Sequence, residues 1–518
     1  MTCPLRRARR VLLTSVLCAM PLLAGACRAN PPGEHWPLAP TATWQRGGDE
    51  YRAFDLNGDG RFEYLQRRRA GYTDQLHFID RDTGQIATTI RRPAAPGSPV
   101  TLLLLLDGVA FERMQTLHAA GHFGLFRPPV RLITTFPTLT DPVFDRFFGT
   151  GPTPGYEAGY FDRAANRLTD AYGVYLRGEN ELWLPHVDYR LNLLHDAFMY
   201  LYPRPVFRSE LRRARAALDR VLAEGRGDPA LYLLTTDALG HLLPQERLDA
   251  ELRELDGWIE RIVHDYRGRI EIVALADHGM SAVPCELFDM RGVLAAAGLR
   301  LRERLWNPGD VAVPIFGLLD VARVHTYDAA TRDRVVAALR DRPEVELLAF
   351  RDGERIVVIT AAGQAWIDAE QRDGVWHYRY TPQPDDALEW GATLAAMRAA
   401  GALDAAGFAP ADVWFAHTAD ADFPDAVVRL WDGVRLNSHE QPDVVVSLGP
   451  GWFCGSKFLA RFVTMLGTHG GLHRRATETF AMTTTADLPD PLSLDALRAL
   501  LRDRFGMTLG TISPAPTP

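Results

Sequence analysis

Residues 101–107 read TLLLLLD, a short apolar run that ends in the carboxylate of Asp107. Residues 231–237 (LYLLTTD) and 270–277 (IEIVALAD) have the same form. Runs of this length that are mostly apolar are typical of buried strands in a parallel sheet. Because open α/β sheets bind ligands beyond the carboxyl ends of their strands, we expect the three aspartates to converge and form an active site. The alternative for each aspartate is that it only begins a loop.

Helical periodicity appears around these runs, and the predicted helices cover 111–120, 209–223, 245–266 and 492–504. Ser209 is the expected N-cap of the second helix, and residues 130–135 (VRLITT) are predicted to form a further strand. The alternation of strand and helix predicts an α/β fold, in which a doubly wound, mostly parallel sheet lies between helices.

The pattern changes between residues 300 and 440, where shorter strands and helices are predicted at 321–326, 331–340, 345–350, 355–360, 376–380 and 387–405. We interpret this region as an α+β cap insertion beside the active-site edge. Residues 443–448 (DVVVSL) are then expected to return to the main sheet. The predicted domains are a small β segment over 46–95 and a catalytic domain over 96–510.

The first ten residues contain four arginines, and residues 11–26 form an apolar stretch, as in a secretory signal segment. The stretch ends in LLAGAC at 22–27, which resembles a bacterial lipobox. We therefore expect residues 1–26 to be removed, Cys27 to be lipidated and residues 27–45 to act as a tether. Plain secretory cleavage is the alternative. The expected location is the bacterial cell envelope, as an outer-membrane or periplasmic lipoprotein that meets the membrane only through its anchor.

The composition is that of an ordinary soluble protein: among 518 residues, 47% are hydrophobic and 24% charged, and the net charge is −8. No basic tract occurs outside the N-terminus, which argues against a nucleic-acid-binding surface. Cys285 and Cys454 remain in the mature chain, and in an oxidising compartment they could either pair or stay as two buried thiols.

Residues 55–63 read DLNGDGRFE, with oxygen-bearing side chains at positions 1, 3, 5 and 9 around a glycine at position 6. This pattern suits calcium, and position 7 can contribute its backbone carbonyl. The EF-hand glutamate at position 12 is replaced by Gln66, so the loop instead resembles the calcium loops of secreted β-repeat proteins. A structural calcium is expected; the alternative is an Asx-rich turn without an ion. The candidate ligands are Asp55, Asn57, Asp59, Arg61 and Glu63.

Three further motifs follow the predicted strands: PTLT at 137–140, DALGH at 237–241 and DHGM at 277–280. A fourth motif, GTHG at 467–470, comes much later in the chain, in a glycine-rich loop. Asp237 and His241 lie one helical turn apart, as two ligands of one ion would need. The glycines around His469 allow the backbone to approach an ion closely.

In this order, with the LDG that begins at Leu106, these motifs resemble the alkaline phosphatase superfamily, and most closely its type I phosphodiesterase/nucleotide pyrophosphatase branch. DHGM is the most specific of them. The resemblance implies two zinc ions: Asp237, His241 and His469 would hold the first. The second would be held by Asp107, Asp277 and His278 and would contact Thr140, the nucleophile. A phospho-threonine intermediate would then be hydrolysed by water activated at the first zinc.

Charge arithmetic supports this division. Two zinc ions carry four positive charges, and the three carboxylates with a Thr140 alkoxide supply four negative ones. Contact with zinc lowers the pKa of a hydroxyl group, which makes threonine a usable nucleophile. Two ions about 3.5–4 Å apart can stabilise both the attacking and the leaving oxygen of an in-line displacement.

For the nucleophile, a further metal ligand and the substrate-binding residues, the sequence offers more than one candidate. Thr138 competes with Thr140 as the nucleophile, and the resemblance favours Thr140. His473 could be a further ligand, although a supporting or surface position is expected. Lys457 and Arg474 are candidate substrate-binding residues.

One departure from the family pattern concerns phosphoryl recognition. The branch continues its nucleophile motif with Phe-Pro-Asn-His, whose asparagine helps to hold a phosphoryl oxygen. Here Asp141-Pro142-Val143-Phe144 stands in its place. Because Val143 has no side-chain donor, phosphoryl recognition must come from elsewhere, or the substrate differs.

The expected function is an exported, two-zinc hydrolase of small-molecule phosphate esters, with diesters favoured over monoesters. A phosphomonoesterase of the same superfamily is the first alternative. A sulfatase is disfavoured, because Thr140 does not lie in the Cys/Ser-x-Pro-x-Arg context of those enzymes. A calcium-dependent surface binding protein on a degenerate hydrolase scaffold is the alternative from another class.

Overall fold

The computed structural model describes residues 37–507 and 509, apart from 38, 81, 93–99, 458 and 462. The predicted signal segment, Cys27, most of the predicted tether and residues 93–99 lie outside the described residues.

A five-stranded antiparallel sheet opens the described chain, and each strand pairs with the next in sequence. Its first strand begins at Ala42, so the last residues of the predicted tether belong to the sheet. Phe54, Tyr64 and Leu76 from this sheet belong to a hydrophobic core that also contains many residues of the segment 102–276. The strands are β1 Ala42–Arg46, β2 Asp49–Phe54, β3 Tyr64–Arg69, β4 Tyr72–Ile79 and β5 Ile86–Arg91.

Strands and helices alternate over residues 100–301, as the sequence predicts. The elements are β6 Val100–Leu106, α1 Phe111–Ala119, β7 Val130–Ile133, α2 Thr140–Phe148, β8 Phe161–Asp162, β9 Arg167–Leu168, α3 Ala171–Arg177, α4 Leu193–Met199, α5 Pro203–Ala223, β10 Ala230–Leu233, α6 Thr235–Leu242, α7 Gln245–Asp265, β11 Ile270–Ala276, β12 Glu286–Leu287, α8 Met290–Ala296 and β13 Arg300–Leu301. A 3₁₀ turn covers Leu184–His186.

The remaining chain is richer in strands. Its elements are β14 Asp310–Ala312, β15 Leu318–Leu319, β16 Val321–Thr326, α9 Ala329–Leu339, β17 Val345–Asp352, β18 Arg355–Thr360, β19 Gln364–Arg372, β20 Val375–Pro382, α10 Gly391–Ala399, β21 Ala409–Pro410, α11 Ala411–Thr418, α12 Ala426–Arg435, β22 Val444–Leu448, β23 Trp452–Gly455, α13 Arg474–Thr477, β24 Glu478–Thr483, β25 Leu492–Ser493 and α14 Leu494–Phe505. A second 3₁₀ turn covers Leu459–Arg461.

The main sheet has six strands in the order β10-β6-β11-β24-β7-β25. Strands β10, β6 and β11 are mutually parallel, β25 is parallel to β7, and β24 is antiparallel to both of its neighbours. The prediction of a mostly parallel sheet between helices is therefore confirmed. The three runs that end in aspartates supply its first three strands.

The leucine run of β6 explains why this strand lies inside the sheet. Leu102, Leu104 and Leu106 face one hydrophobic core, and Leu103 and Leu105 face the core on the other side. All five are at most 1% exposed. At about 2 kcal/mol for each fully buried leucine, both faces of the strand favour burial equally.

The predicted cap forms a second sheet of nine strands, in the order β13-β14-β16-β22-β17-β18-β19-β20-β21. It spans residues 300–448 and is therefore slightly longer than the predicted insertion. The expectation that residues 443–448 return to the main sheet is wrong, because β22 pairs antiparallel with β16 and β17. All five residues of β22 are buried, and an apolar run of this kind suits the interior of either sheet.

Three predicted boundaries also differ from the structure. Strand β10 ends at Leu233, so Asp237 lies in helix α6 and not at the end of a strand. Helix α5 begins at Pro203, which makes Ser209 an internal residue. The helix predicted over 387–405 is limited to α10.

The two cysteines in the described part of the chain are free. The thiols of Cys285 and Cys454 contact the backbone carbonyls of Val283 and Phe288, at 2.9 and 3.7 Å. Of the helices that the structure describes, none combines the length and apolar character needed to cross a membrane.

Candidate metal centre

Strand order brings the predicted metal ligands together. Asp107 follows β6, Asp277 follows the neighbouring strand β11, and Asp237 lies in the helix that follows β10 on the other side of β6. All three carboxylates are buried. Their backbones are linked as well, since Asp107 N–H donates to Leu233 O at 3.2 Å and Asp277 N–H donates to Leu106 O at 3.3 Å.

Two groups of side chains in this centre have the spacing of metal ligands. Asp107, Asp277 and His278 each offer a ligand atom within 4.8 Å of the others, and so do Asp237, His278 and His469. His278 thus belongs to both groups, because its ring stacks on that of His469 with centroids 3.6 Å apart. The sequence assigns it to one ion only.

His241 completes the set of six predicted protein ligands. Its Nε2 lies 3.1 Å from Asp237 Oδ1, and its ring centroid is 5.2 Å from that of His469. Asp237 and His241 occupy positions i and i+4 of α6, as the motif predicts.

Backbone carbonyls fix the orientation of all three imidazoles. The Nδ1 atoms of His241, His278 and His469 lie 2.8, 2.8 and 3.0 Å from the carbonyl oxygens of Gly467, Gly279 and Thr138. A carbonyl can only accept a hydrogen bond, so each Nδ1 carries a proton. In the neutral rings this leaves the Nε2 lone pair facing the centre, as for metal-bound histidines.

In each of the three carboxylates, one oxygen accepts hydrogen bonds and the other oxygen has no hydrogen-bond partner among the described residues. Asp277 Oδ1 accepts from the N–H groups of Gly108 and His278, at 3.1 and 2.9 Å. The other oxygens of the Asp107 and Asp237 carboxylates accept from tyrosine hydroxyls. Four buried atoms remain without a hydrogen-bond partner among the described residues: Asp107 Oδ1, Asp237 Oδ1, Asp277 Oδ2 and His278 Nε2.

These free atoms point at one another. Asp107 Oδ1 lies 3.1 Å from His278 Nε2, and Asp237 Oδ1 lies 3.1 and 3.4 Å from the Nε2 atoms of His241 and His469. Lone pairs at such distances repel each other unless a cation stands between them. The donor set of carboxylate oxygens and imidazole nitrogens therefore fits divalent transition metals, with zinc as a suitable choice.

Burial and the close approach of charged groups shift the pKa values of the side chains in this centre. Burial, together with Asp277 and Asp237, raises the pKa of Asp107 well above its usual range. Burial also acts to raise the pKa of Asp237, but His241 and His469 outweigh it and hold that pKa well below its usual range. Burial and the neighbouring His278 lower the pKa of His469, which keeps that imidazole neutral at pH 7.

The two candidate nucleophiles have different surroundings. Thr138 is fully buried, and its hydroxyl accepts from Gly470 N–H at 2.9 Å and donates to Gly471 O at 3.2 Å. Thr140 is partly exposed and is the first residue of α2. The Thr138 hydroxyl is thus engaged in holding the His469 loop.

The His469 loop is also held from the second sheet. Asp320 N–H donates to His469 O at 3.0 Å, and Asp320 Oδ1 accepts from Gly471 N–H at 2.5 Å. Gly470 has φ +115°, and a Cβ there would lie 2.6 Å from Val321 Cγ1. Only glycine fits this position without strain.

The structure places the other sequence-derived candidates outside this set of ligands. His473 caps the short helix α13 by accepting from Arg475 N–H at 3.2 Å. Arg474 pairs with Glu478 at 3.0 Å, and Lys457 Nζ pairs with Asp289 at 2.6 Å. Val143 is fully buried in the core between the main sheet and α14, so it offers nothing to a substrate.

Sequence reasoning missed the groups that support the ligands. Tyr200 and Tyr232 donate to ligand carboxylates, and Thr236 Oγ1 accepts from Asp107 N–H at 2.9 Å. Tyr232 and Thr236 lie within an apolar run that is typical of a buried strand, and Tyr200 follows a weakly periodic segment. The one available signal was the presence of polar groups inside such a run.

Three carboxylates of the predicted calcium loop, those of Asp55, Asp59 and Glu63, also lie within 4.8 Å of one another. Their oxygens accept hydrogen bonds from within the loop. Asp55 accepts from Gly58 N–H at 2.7 Å, and Glu63 accepts from Leu56 N–H at 2.7 Å. This geometry fits both a calcium loop and an Asx-rich turn.

Comparison with known proteins finds a family model that matches part of the chain. Residues 229–472 match the family model described as Type I phosphodiesterase / nucleotide pyrophosphatase. This range includes Asp237, His241, Asp277, His278 and His469, but not Asp107 or Thr140. No curated protein sequence matches the chain.

Several solved structures align with the chain. Human ectonucleotide pyrophosphatase/phosphodiesterase 5 covers 80% of this chain and 97% of its own, at 10% identity and a TM-score of 0.45. Phosphonoacetate hydrolase from Sinorhizobium meliloti, in complex with phosphonoacetate, covers 80% and 97%, at 14% identity and a TM-score of 0.44. An inactive murine ectonucleotide pyrophosphatase/phosphodiesterase 5 in complex with AMP covers 81% and 97%, at 10% identity and a TM-score of 0.45.

The family model that matches is the one whose motifs the sequence resembles. Over residues 229–472, just under half of its length, the chain is therefore similar to the type I phosphodiesterase/nucleotide pyrophosphatase family.

Proposed function

We propose that this protein is a two-metal hydrolase of small-molecule phosphate esters that prefers diesters to monoesters. One observation carries the proposal. Four buried ligand atoms, on Asp107, Asp237, Asp277 and His278, have no hydrogen-bond partner among the described residues and face a common centre. Such an arrangement is costly without cations and favourable with them.

The ligands divide between two ions, for which zinc is the expected metal. Asp237, His241 and His469 would hold the first ion. Asp107, Asp277 and His278 would hold the second, with Thr140 beside it. The stacking of His278 on His469 supports two neighbouring ions, since it places a ligand of each in direct contact.

Thr140 is the proposed nucleophile. When bound, the two ions would lower the pKa of the threonine hydroxyl and neutralise charge on the phosphoryl oxygens. Thr140 Oγ1 would release its proton to solvent and attack phosphorus in line. The P–O bond to the leaving group would then break, and the departing alkoxide would take a proton from water to leave as an alcohol. Water then attacks the phospho-threonine, which returns the threonine hydroxyl and releases the second product.

Helix α2 assists this step. Because Thr140 is its first residue, a phosphoryl group on the threonine would lie at the positive end of the helix dipole. This would provide part of the phosphoryl recognition that the missing family asparagine, here Val143, cannot supply.

A comparison of substrates tests the proposal. Purified protein with added Zn²⁺ is expected to hydrolyse bis-p-nitrophenyl phosphate with a kcat/KM at least about tenfold above that for p-nitrophenyl phosphate, a difference of about 1.4 kcal/mol. The Asp277→Asn variant is the control for contaminating activity. Faster hydrolysis of the monoester would identify a phosphomonoesterase. No turnover of either ester with zinc, manganese or iron would overturn the proposal in favour of a binding protein.

We also propose a structural calcium at the loop of Asp55, Asn57, Asp59, Arg61 and Glu63. The spacing of its three carboxylates supports an ion at this place. An unchanged melting temperature upon addition of calcium to chelator-treated protein would contradict the proposal.

Export with a lipid anchor on Cys27 is a further proposal, supported by the arginine-rich start, the apolar stretch and the LLAGAC sequence. The intact mass of the mature protein from a bacterial host would show either a lipidated Cys27 or an unmodified cleavage product. An uncleaved chain would contradict both.

A further inference from the structure

We infer that Tyr200 and Tyr232 are positioning residues of the metal centre, one for each ion, and that each fixes a ligand carboxylate in a one-oxygen binding mode. The inference rests on the two-metal centre of the proposed function and extends it to residues outside the ligand set. It depends on two phenol–carboxylate hydrogen bonds.

Each tyrosine holds one oxygen of one ligand. Tyr200 Oη donates to Asp237 Oδ2 at 2.9 Å, and Tyr232 Oη donates to Asp107 Oδ2. The Tyr232 bond is buried, with Tyr232 only 1% exposed, and the Tyr200 bond is partly buried. An ionised carboxylate can only accept, so each phenol is the donor.

Because each phenol occupies one oxygen of its carboxylate, only the second oxygen is available to bind an ion. Asp107 Oδ1 and Asp237 Oδ1 are the oxygens that face histidine Nε2 atoms and lack a hydrogen-bond partner in the described structure. At Asp277, backbone N–H groups of Gly108 and His278 hold one oxygen in the same way. The three ligand carboxylates therefore share one design, and in two of them a tyrosine supplies the donor.

Two chemical effects follow from such a bond. The phenol prevents the carboxylate from rotating or from chelating the ion with both oxygens. It also withdraws negative charge from the ligand, which leaves the bound ion a stronger Lewis acid. Loss of a hydrogen bond to a ligand typically costs about 10- to 100-fold in metal affinity or activity.

The two tyrosines reach the centre from different elements. Tyr232 is in β10, and its ring packs edge-on against Phe144 and Trp183, with centroids 5.1 Å away in both cases. Tyr200 follows α4, and its ring lies 6.2 Å from that of His241. The two positions are therefore expected to act independently, each on its own ion.

The test is metal binding by the Tyr200→Phe and Tyr232→Phe variants of the full protein. Chelator-stripped protein is titrated with Zn²⁺ by competition with a chromophoric chelator and with Co²⁺ by visible absorption. Each variant should weaken one of two binding steps by about 10- to 100-fold, and should alter the Co²⁺ spectrum of that step only. Thermal unfolding of the metal-free variants reports whether the fold is retained.

Tyr266→Phe is the matched control, since its hydroxyl donates to Asp219 at 2.6 Å outside the centre. It should leave both binding steps unchanged. Two wild-type binding steps that persist unaltered in both tyrosine variants would overturn this inference alone. A wild-type protein that binds neither metal would overturn the proposed function, and the inference with it.

Discussion

Single hydrogen bonds determine which atoms of the metal centre are available. Three backbone carbonyls orient the imidazoles of His241, His278 and His469, and each leaves an Nε2 lone pair toward the centre. The two tyrosines and the backbone do the same for the carboxylates. The site is therefore preorganised for cations by groups that would not themselves touch the ions.

At this scale, Thr140→Ala should abolish turnover and keep the metals. The hydroxyl is the proposed nucleophile, so its loss should lower kcat by at least about 10³-fold, as removal of a nucleophile does in other hydrolases. Metal content and melting temperature should stay close to wild type, because the side chain is partly exposed at a helix start. Steady-state kinetics and elemental analysis measure the two quantities.

Thr138→Ala is the informative comparison. The Thr138 hydroxyl bonds to Gly470 and Gly471, so its loss should destabilise the protein by about 1–2 kcal/mol and weaken metal binding. A fully active Thr140→Ala variant together with an inactive, metal-loaded Thr138→Ala variant would move the nucleophile to Thr138.

The metal ligands can be predicted from the sequence more readily than the residues that form hydrogen bonds to them. Asp107, Asp237 and Asp277 are recognisable because a carboxylate at or just beyond the end of a buried run has few structural explanations. Tyr232 is not recognisable, because a tyrosine within such a run is compatible with ordinary core packing. Its role depends on a contact with a residue 125 positions away, and only the folded structure shows that contact.

Among the elements, β6 and its parallel neighbours create the site, while the N-terminal sheet supports it from a distance. That sheet packs on helix α7, where Gln66 Nε2 donates to Glu260 Oε2 at 2.5 Å. Burial, followed by the neighbouring Asp256, raises the pKa of Glu260 to about 8. The carboxyl group is therefore protonated in the folded protein at neutral pH.

This contact predicts a pH dependence of stability. Between pH 4.5, the ordinary pKa, and pH about 8, the folded state binds a proton that the unfolded state releases. Stability should fall as pH rises across this window, by up to about 1.4 kcal/mol per pH unit from this one group. Urea unfolding of wild type and Glu260→Gln at pH 5.5 and 8 measures the difference.

The Glu260→Gln variant should lose less stability than wild type over this interval. Glu246→Gln, which removes an exposed carboxylate at the start of the same helix, should behave as wild type. Identical pH dependence in all three proteins would contradict a protonated Glu260.

Strands and helices with a clear apolar pattern can be predicted from the sequence. The sheet to which a strand belongs depends on its neighbouring strands, and the sequence pattern does not show these. The strands β6 and β11 and the helix α7 follow from their apolar patterns. Strand β22 was assigned to the wrong sheet because its residues are buried on both faces in either environment. The boundary between β10 and α6 was missed because two threonines extend the run of β10 without a break signal.

Across the whole molecule, both sheets contribute to the centre. The main sheet supplies the carboxylates, and the second sheet holds the His469 loop through Asp320. Buried Arg429 of α12 connects the end of β7 with the segment after the His469 loop, since it donates to Thr134 O at 2.8 Å and to Leu472 O at 3.3 Å. The site would not be complete in either layer alone, which explains why its motifs are spread over residues 101–471.

The most direct test of the proposed two-metal centre is the metal content of the purified protein after saturation with Zn²⁺ and removal of free ions. Elemental analysis against protein concentration should give two zinc ions per chain for wild type, with calcium counted separately. An Asp107→Asn/Asp277→Asn double variant should retain one, because Asp237, His241 and His469 remain. One zinc ion or none in the wild-type protein would contradict the account.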